Sequence, residues 1–185
     1  MVKKIGKYVI QERLGRGGMS AVYKARAPIN DRIVALKILL PRDPIFVDLV
    51  GEERLREIFI EEARIMGQIN NEHVAKIIDY DADSDVPFIV LEYFPHSLGS
   101  FIGDSTRVKT SRVISINMTY QYIRQTLRGL ESLHFAGIIH RDIKPHNLMI
   151  TNDDQIKIID GAMHLTPPTT ICSVVGHGRL SPDRY

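Results

Sequence analysis

Apolar and polar positions alternate at the start of the chain. Residues 7–15 and 21–27 read as two strands around a glycine-rich turn, and AVYKARA in the second has the period of a half-buried strand. Asn30-Asp31 marks a turn, and residues 33–40 form a third, strongly apolar strand that Pro41 and Pro44 end. The period then changes. In residues 52–69, Leu55, Phe59, Ala63, Met66 and Ile69 recur every three or four positions, which predicts an amphipathic helix. Residues 77–80 and 88–93 return to the strand pattern on either side of the turn-rich DADSDVP. Successive strands joined by short turns imply a five-stranded antiparallel sheet.

Beyond Pro95 the pattern is different. Residues 95–110 are irregular, with a short helix at 98–102. Residues 114–135 predict a long helix, because Ile116, Tyr120, Ile123, Leu127, Leu130 and Leu133 recur at helical spacing and Gly137 supplies a stop. Met118 and Tyr122 widen its apolar arc. Short strands at 148–150 and 156–159 flank TNDDQ, and residues 161–185 read as loop. The shift at Pro95 divides the chain into residues 1–94, mostly β with one helix, and residues 95–185, mainly helix and polar loop. The fold class is α+β.

Composition narrows the function. A chain of 185 residues fits one domain or two small lobes, and its 44% hydrophobic and 25% charged residues are those of an ordinary globular protein. A net charge of +2 gives no electrostatic case for nucleic acid. The longest apolar runs, IVALKILL and PFIVLEYF, are broken by Lys37 and Glu92 and fall short of the ~20 residues a membrane helix needs, so no membrane segment is expected in this chain. MVKKIGKYVI has basic residues with no apolar stretch to follow them, unlike a secretory signal. Cys172 is the single cysteine and cannot form an internal disulfide, which points to a reducing compartment and a cytoplasmic location.

Four strings carry candidate chemistry. LGRGGMSAVY brings Gly15, Gly17 and Gly18 together, and glycines let backbone N–H groups approach phosphate oxygens closely. A strand pattern follows, which excludes a dinucleotide-binding loop and leaves a plain hairpin turn as the other reading. Lys37 lies inside an apolar strand and needs a partner if buried. Glu62 lies in the middle of the apolar helix stripe, where a carboxylate is costly unless paired, so the two form the obvious couple; a Glu62 that reaches solvent at the helix edge is the alternative. HRDIKPHN places Asp142, Lys144 and Asn147 in one loop, where they can accept a hydroxyl proton, neutralise a phosphoryl group and offer an oxygen to a cation. Finally, Asp160-Gly161 after an apolar strand suits a second metal ligand at a turn, or an ordinary strand end.

Together these strings, in this order and spacing, resemble the protein kinase superfamily, and most of all bacterial Ser/Thr kinases of the eukaryotic type, from about Tyr8 to Pro182. The resemblance implies a kinase-like fold: an antiparallel N-lobe (1–94) with one main helix, and an incomplete C-lobe (95–185) of helix, catalytic loop and activation segment. It implies ATP and Mg²⁺, and a protein substrate with a Ser/Thr acceptor, since Lys144 follows Asp142 by two. It places Leu14, Gly15, Gly17 and Gly18 over the nucleotide, with Val22, Ala35 and Met149 around adenine. It makes Leu91 the gatekeeper and Glu92 to Phe94 the hinge. Lys37, paired with Glu62, would hold the phosphates; Asp142 would be the base, with Lys144 beside it, and Asn147 and Asp160 the metal ligands. Thr166, Thr169, Thr170 and Ser173 are candidate phosphorylation sites.

The chain departs from the family in three places. Ser20 replaces the third glycine, Asp160-Gly161-Ala162 stands where Asp-Phe-Gly is usual, and GHGRLSPDRY is a shortened activation-segment end. Gly161 brings no side chain to pack between His140 and Met66, so a gap is expected there. By the same resemblance the later C-lobe helices are expected to be missing from this chain, and a partner is expected to cover one side of the 114–135 helix.

Overall fold

The computed structural model describes residues 3–103 and 112–159, and the backbone of 164–165. Six strands form the main antiparallel sheet: β1 (Lys4–Ile5), β2 (Tyr8–Arg16), β3 (Ser20–Arg26), β4 (Ile33–Leu39), β5 (Ile77–Asp81) and β6 (Phe88–Glu92), in the order β1-β2-β3-β4-β6-β5. The expected five strands are corrected by β1, a two-residue pairing of Lys4 with Val9 and Ile5 with Tyr8 that is too short to leave a periodic signal.

One face of the curled sheet packs on itself through Tyr8, Ala21, Ala25, Val34, Leu36, Ile38, Phe88 and Val90. The Tyr8 hydroxyl donates to Asp79 Oδ2 at 3.0 Å, so the start of β2 is held to the edge strand β5. The opposite face receives a helix, α2 (Glu52–Gly67), through Phe59, Ile60, Ala63, Ile89 and Leu91. Glu52 and Glu53 at its start and Arg64 at its end complement the helix dipole.

A helix that the sequence did not reveal, α1 (Pro44–Val50), precedes α2. Pro44 begins this helix rather than only ending a strand, because proline suits a first turn and the Asp43 side chain accepts from Ile45 N–H at 2.9 Å.

The second half contains β7 (His96–Ser97), α3 (Leu98–Ile102), α4 (Ile116–Phe135), β8 (Ile138–Ile139), β9 (Leu148–Ile150), β10 (Ile156–Ile158) and β11 (His164–Leu165). Strands β10, β9 and β7 form a small sheet, and β11 pairs with β8, so residues 164–165 are a strand where loop was expected. Helix α4 begins at Ile116 rather than 114 because Ser115 caps it, its hydroxyl oxygen accepting from Met118 N–H at 3.2 Å. Gly137, at φ 77°, follows its end as expected.

The buried face of α4 is Tyr122, Gln125, Thr126, Gly129 and Leu133. Of the apolar stripe read from the sequence, Ile116, Tyr120, Ile123 and Leu127 are exposed. Polar residues hold the inner face. Gln125 Oε1 accepts from Ile156 N–H at 2.7 Å, and its amide donates to Gln155 at 3.0 Å. Gly129 lets α4 approach closely, because a Cβ there would lie 2.7 Å from Ile158 Cδ1 and 2.9 Å from the His73 carbonyl oxygen.

Candidate active site

Register aligns the first part of the site. Lys37 and Ala35 share a face of β4 by alternation, Val22 pairs with Lys37, and Leu91 pairs with Ala35. Val22, Ala35, Lys37 and Leu91 therefore lie on one side of the sheet. α2 packs against that side and brings Glu62 Oε1 to 3.0 Å from Lys37 Nζ. Both side chains are largely withdrawn from water, at 8% and 12% exposure, and the ammonium also lies 5.7 Å from the Phe59 ring centroid. Glu62 thus faces the sheet rather than reaching solvent at the helix edge. A small cleft lies beside the pair, lined by Ala63, Met66, Ile77, Ile89 and Leu91.

The glycine-rich turn joins β2 to β3, with Gly15 paired to Val22. A Cβ on Gly15 or Gly18 would meet nothing within 4 Å, so space is open above both. The tip is tied down from behind, where Leu40 N–H donates to Met19 O and Arg42 N–H to Gly18 O, both at 2.9 Å. Leu14 ends its side chain in solvent beside this turn. Met149, on β9, pairs with Lys157 and Ser97, and Phe94 lies in the segment between β6 and β7.

The loop between β8 and β9 holds the second part. Asp142 N–H donates to the His140 carbonyl at 2.9 Å around Arg141, whose φ of 60° is rare for a residue with a side chain and marks a strained turn. The same N–H meets His140 Nδ1 at 3.3 Å, which makes Nδ1 an acceptor and leaves Nε2 to donate to Ile159 O at 2.9 Å. The buried imidazole thus joins the loop to the end of β10. Asp142 Oδ2 receives Lys144 Nζ at 2.7 Å and Asn147 Nδ2 at 2.9 Å, and Asn147 also donates to Asp142 O at 2.8 Å. The Lys144 ammonium is the main cause holding the Asp142 carboxyl below its ordinary value, and the Asn147 amide adds to it while partial desolvation opposes.

This loop brings Asp142, Lys144 and Asn147 together. Asn147 Oδ1 receives no hydrogen bond from a described residue, and an amide oxygen of this kind suits a hard divalent cation. Asp160, the other expected ligand, lies outside the described residues, as do Gly161, the expected gap beside it, Cys172 and the candidate phosphorylation sites Thr166, Thr169, Thr170 and Ser173.

A sequence model described as the protein kinase domain matches residues 8–177. The chain belongs to the protein kinase family. It is 34% identical over 184 residues to a probable serine/threonine-protein kinase of Clostridium acetobutylicum, covering 96% of this chain and 26% of the relative. It is 30% identical over 155 residues to the serine/threonine-protein kinase PknL of Mycobacterium tuberculosis, covering 83% of this chain and 36% of PknL. The chain thus spans about a quarter to a third of the length of these kinases. Its fold is the α+β fold of the protein kinase type, with the curled antiparallel sheet and α2 as its first part. No helix among the described residues is long and apolar enough to cross a membrane.

Two polar side chains escaped the sequence reading. Lys157 meets Glu92 at 3.4 Å, although the residues are far apart in sequence. The available signal was a single lysine inside the apolar strand Ile156-Lys157-Ile158. Gln125 was hidden in the same way, on a helix face assigned by its apolar neighbours.

Proposed function

We propose that this chain is the nucleotide-binding and catalytic-loop part of a Ser/Thr protein kinase, using ATP with Mg²⁺ and acting on a protein hydroxyl. The observation that carries the proposal is the pairing of two separate clusters, Lys37 with Glu62 and Asp142 with Lys144 and Asn147. The bound nucleotide and cation would supply the phosphoryl group and its charge neutralisation. The protein's residues would do the positioning. The Gly15–Gly18 backbone would cover the phosphates, and Lys37, oriented by Glu62, would hold them. Val22, Ala35 and Met149 would enclose the base, with the Glu92–Phe94 backbone reading its edge and Leu91 limiting its depth.

Asp142 keeps its carboxylate charged through the neighbouring ammonium, with Oδ1 left to receive a substrate hydroxyl. A carboxylate held below its usual range is a weak base. Its main contribution is therefore to orient the hydroxyl, with the proton following as the new bond forms. Asn147 Oδ1 is the oxygen we assign to the cation, together with Asp160. Residues 1–94 would act as the N-lobe and 95–185 as part of the C-lobe. The ATP requirement and the lone thiol of Cys172 fit a cytoplasmic location.

The altered Asp160-Gly161-Ala162 string favours one second reading, a nucleotide-binding module with little phosphotransfer. Two measurements separate them. Transfer from radiolabelled ATP to a protein should occur with wild type and fall by about 100-fold in Asp142→Asn, the loss expected when a reacting hydroxyl is no longer held in place. ATP binding should weaken in Lys37→Met. Nucleotide binding without any transfer supports the second reading, and unchanged ATP affinity in Lys37→Met rejects the assigned site.

A further inference from the structure

Strand β10 joins parts of the molecule that are otherwise separate. Ile156 and Ile158 turn inward and are fully buried, while Lys157 between them pairs with Met149 of β9 and so emerges on the other face. Ile158 N–H donates to His73 O at 2.8 Å, and Ala75 N–H donates back to Ile158 O at 2.9 Å, which stitches β10 to the segment between α2 and β5. One residue later, Ile159 N–H donates to Asn147 O at 3.0 Å, and Ile159 O accepts from His140 Nε2. Residues 158 and 159 therefore serve the segment before β5 and the catalytic loop in turn.

Lys157 extends this connection to β6. Its ammonium lies 3.4 Å from Glu92 Oε2, with side-chain exposures of only 14% and 21%. The same Oε2 accepts from Lys76 N–H at 3.0 Å, while Glu92 N–H donates to Lys76 O at 3.1 Å. An ordinary surface ion pair joins two side chains and is readily replaced by water. This carboxylate also holds a backbone amide of a third segment, so its position is set from two directions.

We propose that Lys157–Glu92 is a latch that keeps the end of β6, which we assign to reading the base, in register with β10 and through it with Asn147 and Asp142. Lys157 is a positioning residue: it touches neither nucleotide nor substrate and acts through Glu92. The inference rests on the kinase function proposed above. It adds a role for the Glu92 side chain, distinct from the backbone that would read the base.

The test is a double-mutant cycle of Lys157→Met and Glu92→Gln on the full 185-residue chain, with two readouts. Glutamine keeps an oxygen for Lys76 N–H and removes the charge. In nucleotide-free protein, amide exchange at Lys76 should accelerate in Lys157→Met, with the β4 core amides unchanged. Affinity for ATP·Mg²⁺ should fall about 3- to 10-fold, towards the low end of the coupling between neighbouring residues. Lys157→Met should add little in the Glu92→Gln background, and Lys157→Arg should stay within about twofold of wild type. Independent, additive effects of the two substitutions would overturn the latch, as would unchanged exchange at Lys76. General loss of protection, β4 included, would also overturn it by making Lys157 a core residue. A wild-type chain that binds no ATP would reject the kinase function, while the exchange readout would still report on the Lys157–Glu92 coupling.

Discussion

Asp142 shows how one contact sets the chemistry of a side chain. With the Lys144 ammonium 2.7 Å away, its carboxyl titrates below the ordinary 3.8. A depressed carboxylate is charged above its ordinary value and loses its favourable contacts only as pH falls through the lowered one. The site should therefore keep this charge throughout the neutral range. In Lys144→Met the largest cause is gone, and the Asp142 titration, followed by carbon NMR, should move up towards the ordinary value; an unchanged midpoint would reject the assignment. Much at this scale was legible. HRDIKPHN announces its loop, and the Lys37–Glu62 pair follows from the cost of burying either charge alone. The Lys157–Glu92 pair was not legible, because Glu92 lies at the end of its apolar run and Lys157 in a strand of only three residues, so each could as easily reach solvent.

Among elements, the contact of α4 with β10 is the most sharply specified. Alanine normally favours a helix interior over glycine by about 1 kcal/mol. At Gly129 the added Cβ would instead press on a backbone carbonyl at 2.9 Å, which cannot swing aside. Overpacking of this kind costs about 1–3 kcal/mol, so Gly129→Ala should be destabilising despite its better propensity, as urea unfolding would reveal. A more stable variant would mean that α4 can shift away from β10. The long periodic elements were readable: α2 was expected over 52–69 and spans Glu52–Gly67. Helix α1 and strands β1, β7, β8 and β11 were missed because each has seven residues or fewer: a cap defines α1, a two-residue pairing with the next strand defines β1, and partners distant in sequence define β7, β8 and β11. The inner face of α4 was misread for another reason. Gln125 and Thr126 are buried through hydrogen bonds, and Gly129 through close approach, whereas periodicity counts only apolar side chains.

At the scale of the whole molecule, α4 presents an apolar line to solvent, with Ile116 at 87%, Tyr120 at 62%, Ile123 at 55% and Leu127 at 59% exposure. A side chain of this size gains about 1.5–3 kcal/mol when fully buried, so four of them form a strong incentive to associate. The 185-residue chain should show concentration-dependent self-association in light scattering. Ile123→Gln with Leu127→Gln should reduce it while changing unfolding free energy by no more than about 0.5 kcal/mol per site, as for exposed positions generally. A loss of several kcal/mol would mean that these residues are covered in solution. The same line has a calorimetric consequence. Heat capacity rises on unfolding because apolar groups become hydrated, typically by about 12–15 cal/mol/K per residue. Groups already hydrated in the native state add nothing to that rise. The isolated chain should therefore have a heat-capacity increment per residue below this range, and a stability curve that is shallow in temperature, with gradual loss on both warming and cooling. Covering the line with any partner should raise the increment and sharpen the melt together.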